Sequence, residues 1–382
     1  MNRESSRPVV LQVLPAMATG GAERGAVEMA EAIVQAGGEA LVASEGGPMV
    51  AAVQRAGARH VPLPLARKSP LTIWRNAGRL ARLVRRFGVD IVHARSRAPA
   101  WSAWLACRRT GAHFVTTYHG VYNEDSPGKR RYNAVMARGE RVIAISHYIA
   151  QHLVERHAID PARVRVIPRG VDAARFDPQS VGQARIMRLA HAWRLPDGCR
   201  TVMLPGRLTR WKGQEVLIAA LARLATTWPD LCCVLVGSDQ GRHQYATSLV
   251  REAERLGVAG RLHFGGECTD MPAAMMLADV VVNASTDPEG FGRTIIEAQA
   301  MERLTIATDH GGAVETVEHG VTGWRVPPGD AEALAGAIDY ALSLAPAERR
   351  AIGAQAREWV RQCYTAEAMQ RATLEVYNEL LA

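Results

Sequence analysis

The stretch DPEGFGRTIIEA, residues 287–298, contains the strongest structural signal in the sequence. It follows a short apolar, β-branched run, and a helical pattern begins within it at about residues 292–294. Gly290 and Gly292 flank Phe291, so the backbone can turn tightly there and approach a ligand closely. A strand, a glycine-containing turn and a helix, in this order, form the repeating unit of a parallel α/β sheet.

The same alternation of apolar runs and helical patterns extends along the chain. Strands are predicted at residues 9–14, 40–43, 91–93, 113–117, 142–145, 164–167, 201–204, 233–236, 262–264, 280–282 and 305–307. Helical patterns separate most of these strands, which indicates doubly wound parallel sheets. The alternation pauses at PRGVD, residues 168–172, and a chain of 382 residues is too long for one ordinary core.

We therefore predict an α/β protein with two Rossmann-like, doubly wound domains. The predicted division is an N-terminal domain at 1–175, a linker at 176–197, a second domain at 198–360 and a C-terminal helix at 361–382 that returns to the first domain.

Two glutamates bracket the glycine-containing turn. Glu289 lies in the loop and Glu297 lies inside the helix that follows. The first N–H groups of a helix have no partner within it and, with the helix dipole, favour phosphate oxygens. Two carboxylates beside a diphosphate fit as acceptors for sugar hydroxyls, one for a hexose and one for a ribose. Two ordinary surface glutamates are the alternative, which leaves the Gly-Phe-Gly turn unexplained.

A basic loop, GRLTRWKG at residues 206–213, follows another predicted strand. Arg207 offers a planar fork of donors and Lys212 a point charge, and both suit a diphosphate. Ligands of α/β proteins bind beyond the carboxyl ends of the strands, where this loop lies. A solvated basic loop without a ligand is the alternative.

Two weaker signals lie in the first half. Gly20 and Gly21 follow the first predicted strand, but they do not form G-x-G-x-x-G, which argues against a nicotinamide domain. Their backbone is suited to close approach by a donor phosphate or an acceptor. His119 follows the strand predicted at 113–117, and structural and catalytic roles are both open for it.

Positive charge is concentrated in the first half of the chain. Residues 1–190 contain 28 basic and 14 acidic side chains, whereas the rest contains 18 and 24. A basic surface suits an acidic glycan, a phospholipid surface or nucleic acid, although 43 Arg against three Lys also indicates compositional bias. The amphipathic stretch at 71–87 has five Arg and fits either an anionic membrane surface or an ordinary surface helix.

The sequence contains no signal-peptide pattern and no apolar run of about 18 residues. We therefore predict a cytoplasmic protein, with the inner face of the cytoplasmic membrane as a further site of contact.

Taken together, these features resemble the retaining glycosyltransferases of family 4, which have the GT-B fold of two Rossmann-like domains facing a cleft, with a C-terminal helix crossing back. The resemblance covers nearly the whole chain. It is carried by the E-x7-E pattern from Glu289 to Glu297, by Gly206-Arg207 with Lys212-Gly213, by GGAE at 20–23, by Ile145-Ser146 and by RGVD at 169–172.

The resemblance implies a role for each motif residue. Arg207 and Lys212 would bind the donor diphosphate and assist the reaction, Glu297 would hold the ribose, and Glu289 the transferred sugar. It also implies that the N-terminal domain binds the acceptor and the second domain binds the nucleotide sugar. Because Arg207, Lys212 and the helix N-terminus can stabilise the diphosphate and no D-x-D motif is visible near the donor site, we expect no metal and no other cofactor.

The remaining motif positions follow in the same way. Gly290, Phe291 and Gly292 would offer backbone groups to the sugar and the phosphates, and His119 would lie near the hexose and assist the transfer. Arg293 stands where the family commonly has an aliphatic residue, so it either adds a phosphate contact or pairs on the surface. Gly20 and Gly21 match the early glycine-rich loop of the family and are assigned to donor binding.

The expected activity is transfer of a hexose from a UDP- or GDP-sugar to a cell-envelope glycan or lipid-linked acceptor. Residues 95–101 and 117–122 resemble bacterial enzymes that build lipopolysaccharide core. A nucleotide-sugar epimerase or hydrolase of the same fold and a non-catalytic nucleotide-sugar-binding subunit are the alternatives. No nucleic-acid partner is expected.

Overall fold

The computed structural model describes residues 7–382, which form two compact α/β units. The first unit ends at Pro168 and also includes Glu367–Ala382, while the second is Arg169–Ala366. Each unit has its own parallel sheet and its own apolar core. The fold class predicted from the sequence is confirmed.

The first unit contains a seven-stranded sheet in the order β3-β2-β1-β4-β5-β6-β7. Its strands are β1 Val9–Val13, β2 Glu39–Ser44, β3 Arg59–Pro62, β4 Ile91–Ala94, β5 His113–Tyr118, β6 Arg141–Ala144 and β7 Val164–Val166. Its helices within this part of the chain are α1 Gly21–Gln35, α2 Val50–Arg55, α3 Pro70–Phe87, α4 Arg97–Thr110, α5 Pro127–Asn133 and α6 His147–His157, with short 3-10 turns at Ala134–Ala137 and Pro161–Arg163.

The second unit contains a six-stranded sheet in the order β10-β9-β8-β11-β12-β13. In chain order its elements are α7 Gln183–Ala192, β8 Arg200–Pro205, α8 Gln214–Leu224, β9 Leu231–Val236, α9 His243–Arg255, β10 Leu262–Gly266, α10 Met271–Leu277, β11 Val280–Asn283, α11 Arg293–Ala300, β12 Leu304–Thr308, β13 Trp324–Val326, α12 Ala331–Ser343 and α13 Pro346–Cys363. Short 3-10 turns lie at Pro178–Ser180, Arg210–Lys212, Ala259–Arg261 and Gly311–Glu315. The last helix, α14, is Ala366–Leu381.

The central strands are buried because helices cover both faces of each sheet. Every residue of β9 and of β11 is buried, and both read as continuous apolar runs apart from a terminal asparagine in β11. Such uniform burial is typical of parallel strands.

The helices begin and end where the sequence provides caps. In α3, Ser69 accepts a hydrogen bond from the backbone of Thr72, and Gly88 ends the helix in the left-handed conformation.

Helix α14 is anchored in the first unit by polar contacts, of which those of Tyr377 are buried and those of Glu379 are partly exposed. The Tyr377 hydroxyl lies 2.7 Å from Nδ1 of His93, whose Nε2 lies 2.7 Å from the Thr117 hydroxyl. Glu379 accepts hydrogen bonds from Arg141 and Arg165, which lower the pKa of its carboxyl to about 2. These contacts join the end of the chain to the middle of the first sheet.

Two strands were not predicted, and both lie at sheet edges. β3 is four residues long and contains Arg and Pro, and β13 has only three residues. Edge strands need little apolar surface, so they produce a weak sequence pattern.

The segment predicted as a linker, 176–197, differs from the prediction. It contains α7, which packs against α10 within the second unit. Arg185 binds Asp270 through two hydrogen bonds of 2.9 and 2.6 Å. The first part of the segment predicted at 361–382 also belongs to the second unit, because α13 continues to Cys363.

We expect Tyr377→Phe to destabilise the first unit by about 1–2 kcal/mol, because it removes a hydrogen bond from a buried imidazole. Urea unfolding at neutral pH measures the loss. Tyr340→Phe is the matched control, since Tyr340 on α12 is 55% exposed and should change stability by less than about 0.5 kcal/mol. Equal effects of the two changes would contradict the anchoring role.

Candidate functional site

The motif residues of the second half meet where β8 and β11 lie side by side. The two strands are parallel, with Val280 opposite Val202 and Val281 opposite Met203. The chain runs from β8 to β9 on one side and from β11 to β12 on the other, so this is the point at which the strand order reverses. Ligands of open α/β sheets bind at such switch points, beyond the carboxyl ends of the strands. The loops at 206–213 and 284–292 both leave from this edge.

At this edge the ammonium group of Lys212 contacts the carboxylate of Glu289, although the two residues are 77 positions apart. The amide of Asn283 donates to Glu289 Oε1 over 2.9 Å, and the hydroxyl of Ser285 donates to the same oxygen. The side chains of Lys212 and Glu289 are only 14% and 11% exposed. The site thus contains a shielded, charge-compensated carboxylate.

Opposing effects determine the ionisation of Glu289. Burial raises the pKa of its carboxyl, but the charge of Lys212 and the hydrogen bonds from Lys212, Ser285 and Asn283 lower it more. The net pKa lies below the ordinary value for glutamate. Glu289 is therefore a carboxylate at neutral pH and acts as a hydrogen-bond acceptor.

Backbone contacts hold the two loops together. Gly213 has φ of 72°, and a Cβ added there would overlap the carbonyl oxygen of Ala284. The backbone N–H of Thr286 donates to the carbonyl of Trp211 over 2.8 Å. Lys212 lies between these contacts, with its ammonium 4.4 Å from the centre of the Trp211 ring. Its position relative to Glu289 is therefore determined by packing of the loops as well as by charge.

The glycine-containing turn leads into α11 as the sequence predicts. Gly292 has φ of 94° and precedes the first residue of the helix, Arg293. The side chain of Phe291 is buried, with its ring 5.5 Å from that of Tyr364. The N–H of Gly312 donates to the carbonyl of Glu289 over 2.7 Å. The turn is thus held by contacts on both sides, and it leads into a helix N-terminus, a feature that favours anions.

Glu297 lies one turn inside α11 and is 8% exposed. Nε of Arg293 donates to its Oε1 over 3.2 Å, with side-chain exposures of 14% and 10%. Of the two roles considered for Arg293, a surface ion pair does not fit, because this pair is largely buried. Arg293 instead holds the carboxylate of Glu297 in place.

Arg207 differs from the other motif residues because its side chain is exposed. Its carbonyl oxygen accepts a 2.9 Å hydrogen bond from the amide of Gln214, which orients the backbone of the loop. Within the described part of the chain no acidic side chain lies within ion-pair distance of its guanidinium. The fork of donors faces solvent at the same edge as Lys212.

The other predicted residues, Gly20, Gly21 and His119, belong to the first unit. Gly20 is extended, with φ of −173°, and a Cβ added there would meet only the flexible end of Glu23. Gly21 begins α1, and His119 directly follows β5 and is half-buried. The conformation of neither glycine requires glycine, and the roles of all three residues stay predictions.

Several residues of this site were not predicted. Asn283 and Ser285 hold the carboxylate of Glu289, and Gly311 and Gly312 pack against the backbone of the glutamate loop. The pair Gly311-Gly312 follows β12 and was a detectable signal, because adjacent glycines after a strand indicate close backbone approach. Asn283 and Ser285 carried no such signal.

The two Rossmann-like units match the GT-B fold, and comparison with known proteins identifies the class of protein as a glycosyltransferase. Residues 19–175 match the family model of Glycosyltransferase Family 4, and residues 189–359 match that of Glycosyl transferases group 1. The chain belongs to the family 4 glycosyltransferases.

Individual relatives cover much of the chain. A crystallised glycosyltransferase from Rickettsia africae is 37% identical, covers 98% of this chain and 99% of its own, and superposes with a TM-score of 0.89. The putative glycosyltransferase EpsD of Bacillus subtilis is 31% identical over 73% of this chain and 74% of its own length. The D-inositol 3-phosphate glycosyltransferase of Salinispora tropica is 31% identical over 77% of this chain, which spans 64% of that relative's length.

We expect Lys212→Ala to lower the free energy of unfolding by about 3 kcal/mol at pH 7, because it leaves a buried carboxylate without its cation. A double change, Lys212→Ala with Glu289→Gln, should restore much of the loss. The pKa of Glu289 is lower in the folded protein than its ordinary value. The stability that its carboxylate contributes to the fold is therefore fully present above the ordinary glutamate pKa and is lost as pH falls through the pKa of the folded protein. The penalty of Lys212→Ala should therefore shrink in acid.

Urea unfolding at pH 7 and at pH 4 provides the measurement. Arg210→Ala is the control, since Arg210 lies in the same loop but is 76% exposed in its pair with Glu215 and should cost less than about 1 kcal/mol. A penalty for Lys212→Ala that is unaffected by acid would refute the charge-compensation account.

Proposed function

We propose that this protein transfers a hexose from a nucleotide-diphosphate sugar to a hydroxyl of a cell-envelope acceptor, with retention of configuration at the sugar. The observation that carries the proposal is the ionised, shielded Glu289 held by Lys212 at the switch point of the second sheet. The exposed fork of Arg207 and the N-terminus of α11 belong to loops that leave the same edge of the sheet. This set suits a ligand with both hydroxyl and phosphate groups.

The proposed chemistry is breakage of the bond between the sugar C1 and the diphosphate oxygen. The electron pair of that bond stays with the leaving diphosphate. The acceptor oxygen forms the new bond to C1 on the same face, and its proton passes to an oxygen of the leaving diphosphate. Arg207, Lys212 and the helix N-terminus stabilise the charge that develops on the diphosphate. With these cations in place, the donor phosphates need no metal ion.

The two glutamates are assigned to the sugars of the donor. Lys212, Asn283 and Ser285 all donate to Oε1 of Glu289, so Oε2 is the oxygen proposed to accept a hydrogen bond from the hexose. Glu297, held by Arg293, is proposed to accept from the ribose. A carboxylate with a depressed pKa suits this acceptor role and does not suit a general acid.

The first unit is proposed to bind the acceptor, with His119 assisting transfer near the hexose. Its basic composition favours an anionic acceptor, and the resemblance of residues 95–101 and 117–122 favours lipopolysaccharide core. The Salinispora tropica relative is named for D-inositol 3-phosphate, which is also anionic. A phosphorylated small acceptor therefore belongs in the first screen.

Helix α3 is proposed to bring the first unit to an anionic membrane surface. Leu71 and Trp74 on this helix are 57% and 60% exposed, and Arg75, Arg79 and Arg82 are exposed along its length. Exposed aromatic and apolar groups flanked by Arg are typical of helices that lie in the membrane interface. Among the described helices, none is long and apolar enough to cross a bilayer.

We expect Arg207→Ala to lower kcat/KM for a UDP- or GDP-hexose on the order of 10–1,000-fold, because it removes a cation from the leaving diphosphate. Glu297→Ala should cost about tenfold or more through loss of ribose binding. Release of UDP or GDP with a cell-envelope extract, lipopolysaccharide core or D-inositol 3-phosphate as acceptor provides the assay.

Arg210→Ala is the matched control in the same loop and should stay within about twofold of the parent. Absence of turnover with every donor would contradict the proposal. Binding of the donor without turnover would identify a nucleotide-sugar-binding subunit. Release of nucleotide without a glycan product would identify an epimerase or hydrolase. Either outcome overturns transferase activity.

We expect full-length protein to bind phosphatidylglycerol vesicles and to bind phosphatidylcholine vesicles weakly. Trp74→Ala with Arg79→Ala should weaken binding about fivefold or more, because each interfacial Arg contributes about 1 kcal/mol at an anionic surface. Met187→Ala is the control, because Met187 is an exposed apolar residue that belongs to the second unit. Equal sedimentation with both lipids, or no effect of the α3 changes, would exclude this surface.

A further inference from the structure

A cluster of histidine and glutamate side chains lies in the first unit, outside the motifs discussed above. Glu124 lies in the segment between β5 and α5, whereas His152 and His157 both lie on α6. Each residue offers one ligand atom, and the three atoms lie within 4.8 Å of one another. Nε2 of His157 and Oε1 of Glu124 are 3.4 Å apart.

The separation of Nε2 of His157 and Oε1 of Glu124 matches the ligand shell of a small divalent cation. A tetrahedral zinc ion, with bonds of about 2.0–2.1 Å to nitrogen and oxygen, holds its ligand atoms about 3.4 Å apart. Two imidazoles and one carboxylate form a donor set that zinc commonly has, with a fourth position for water. Magnesium and calcium prefer shells of oxygen ligands, so this set favours a transition metal.

The cluster is shielded from solvent and incompletely satisfied. The side chains of His157 and Glu124 are 2% and 6% exposed. Nε2 of His152 and Oε1 of Glu124 are both buried, and neither has a hydrogen-bond partner among residues 7–382. Buried polar atoms without partners are costly, and a cation between them would satisfy both.

The groups around the cluster do not supply that cation. Arg156 contacts the other oxygen of Glu124, Oε2, over 3.4 Å and is itself half exposed. Oε1 of Glu124 is therefore left to the two imidazoles, which is the arrangement that a metal ion completes.

The hydroxyl of Tyr118 lies beside the cluster, 3.0 Å from Nε2 of His157. The Tyr118 ring also packs near His152 and His157, with centroid distances of 5.9 and 5.8 Å. An ion bound at Nε2 would replace this hydrogen bond, and the Tyr118 hydroxyl would then lie next to the ion.

The geometry points to a zinc-type metal site formed by Glu124, His152 and His157, in which the ion fastens the segment after β5 to helix α6. This segment also contains His119, so the ion would hold the backbone that carries it. The role is structural and lies within the first unit alone. It is independent of the donor chemistry proposed for the second unit.

Metal titration of the full-length, tag-free protein, stripped with a chelator beforehand, tests this inference. We expect one Zn²⁺ per chain by calorimetry and a rise in melting temperature with zinc, because an ion that binds only the folded state stabilises it. Co²⁺ should give the intense visible bands of a four-coordinate site without the thiolate charge-transfer band of a cysteine site.

Three single variants locate the site. Glu124→Gln, His152→Gln and His157→Gln should each weaken zinc binding about 100-fold or more, because each removes one ligand. His113→Gln is the matched control: His113 also pairs with a glutamate, Glu140, at 2.9 Å, but lacks a third ligand. Circular dichroism of each variant without metal separates loss of binding from loss of folding.

The result for the parent protein decides the question even if a variant fails to fold. Absence of stoichiometric zinc binding in the parent would refute the site, and Glu124, His152, His157 and the neighbouring Tyr118 would then form a metal-free polar cluster. Zinc binding that persists in all three variants, or a cobalt spectrum with a thiolate band, would place the ion elsewhere and equally refute it.

Discussion

The contact between Lys212 and Glu289 is the interaction on which the site of the second unit depends. The two side chains come from loops after β8 and β11, strands that are far apart in sequence and adjacent in the sheet. Parallel pairing brings the carboxyl ends of both strands to one edge, so a cation and a carboxylate become neighbours. Lys212 allows Glu289 to remain ionised where burial alone would raise its pKa.

Because this pair is shielded from solvent, its charges need more hydrogen-bond partners than those of a surface ion pair. A buried charge is tolerated only when hydrogen bonds satisfy it, and Asn283 and Ser285 supply the additional donors. Gly213 lets the lysine loop touch Ala284, and Gly312 holds the glutamate loop from the other side. The carboxylate is consequently oriented before any ligand arrives, as tight recognition of a polar ligand requires.

Buried polar contacts also hold the first unit together. Arg95 is 3% exposed and donates over 2.7 Å to Gln12, whose amide donates to the carbonyl of Ala26. Burial lowers the pKa of Arg95, an effect that nearby Tyr377 and Glu28 oppose. Tyr377 belongs to α14, so the last helix takes part in the same polar interior as the central strands. Packing of Met369 and Val376 on the apolar core completes the attachment.

The sequence alone determined the fold class, the succession of central strands and helices along the chain, and the glutamate and basic motifs. These follow from the periodicity of apolar residues and the positions of glycines, which are local properties of the sequence. β3 and β13 escaped prediction because short edge strands need little apolar surface. Helix α7 escaped it because none of its residues is buried, so its pattern resembled a linker. Only the tertiary structure revealed that Arg293 holds Glu297, that Asn283 and Ser285 hold Glu289, and that Glu124 meets two histidines. These contacts join polar side chains across loops and helices, and their partners are decided by strand adjacency and packing, which no local pattern records.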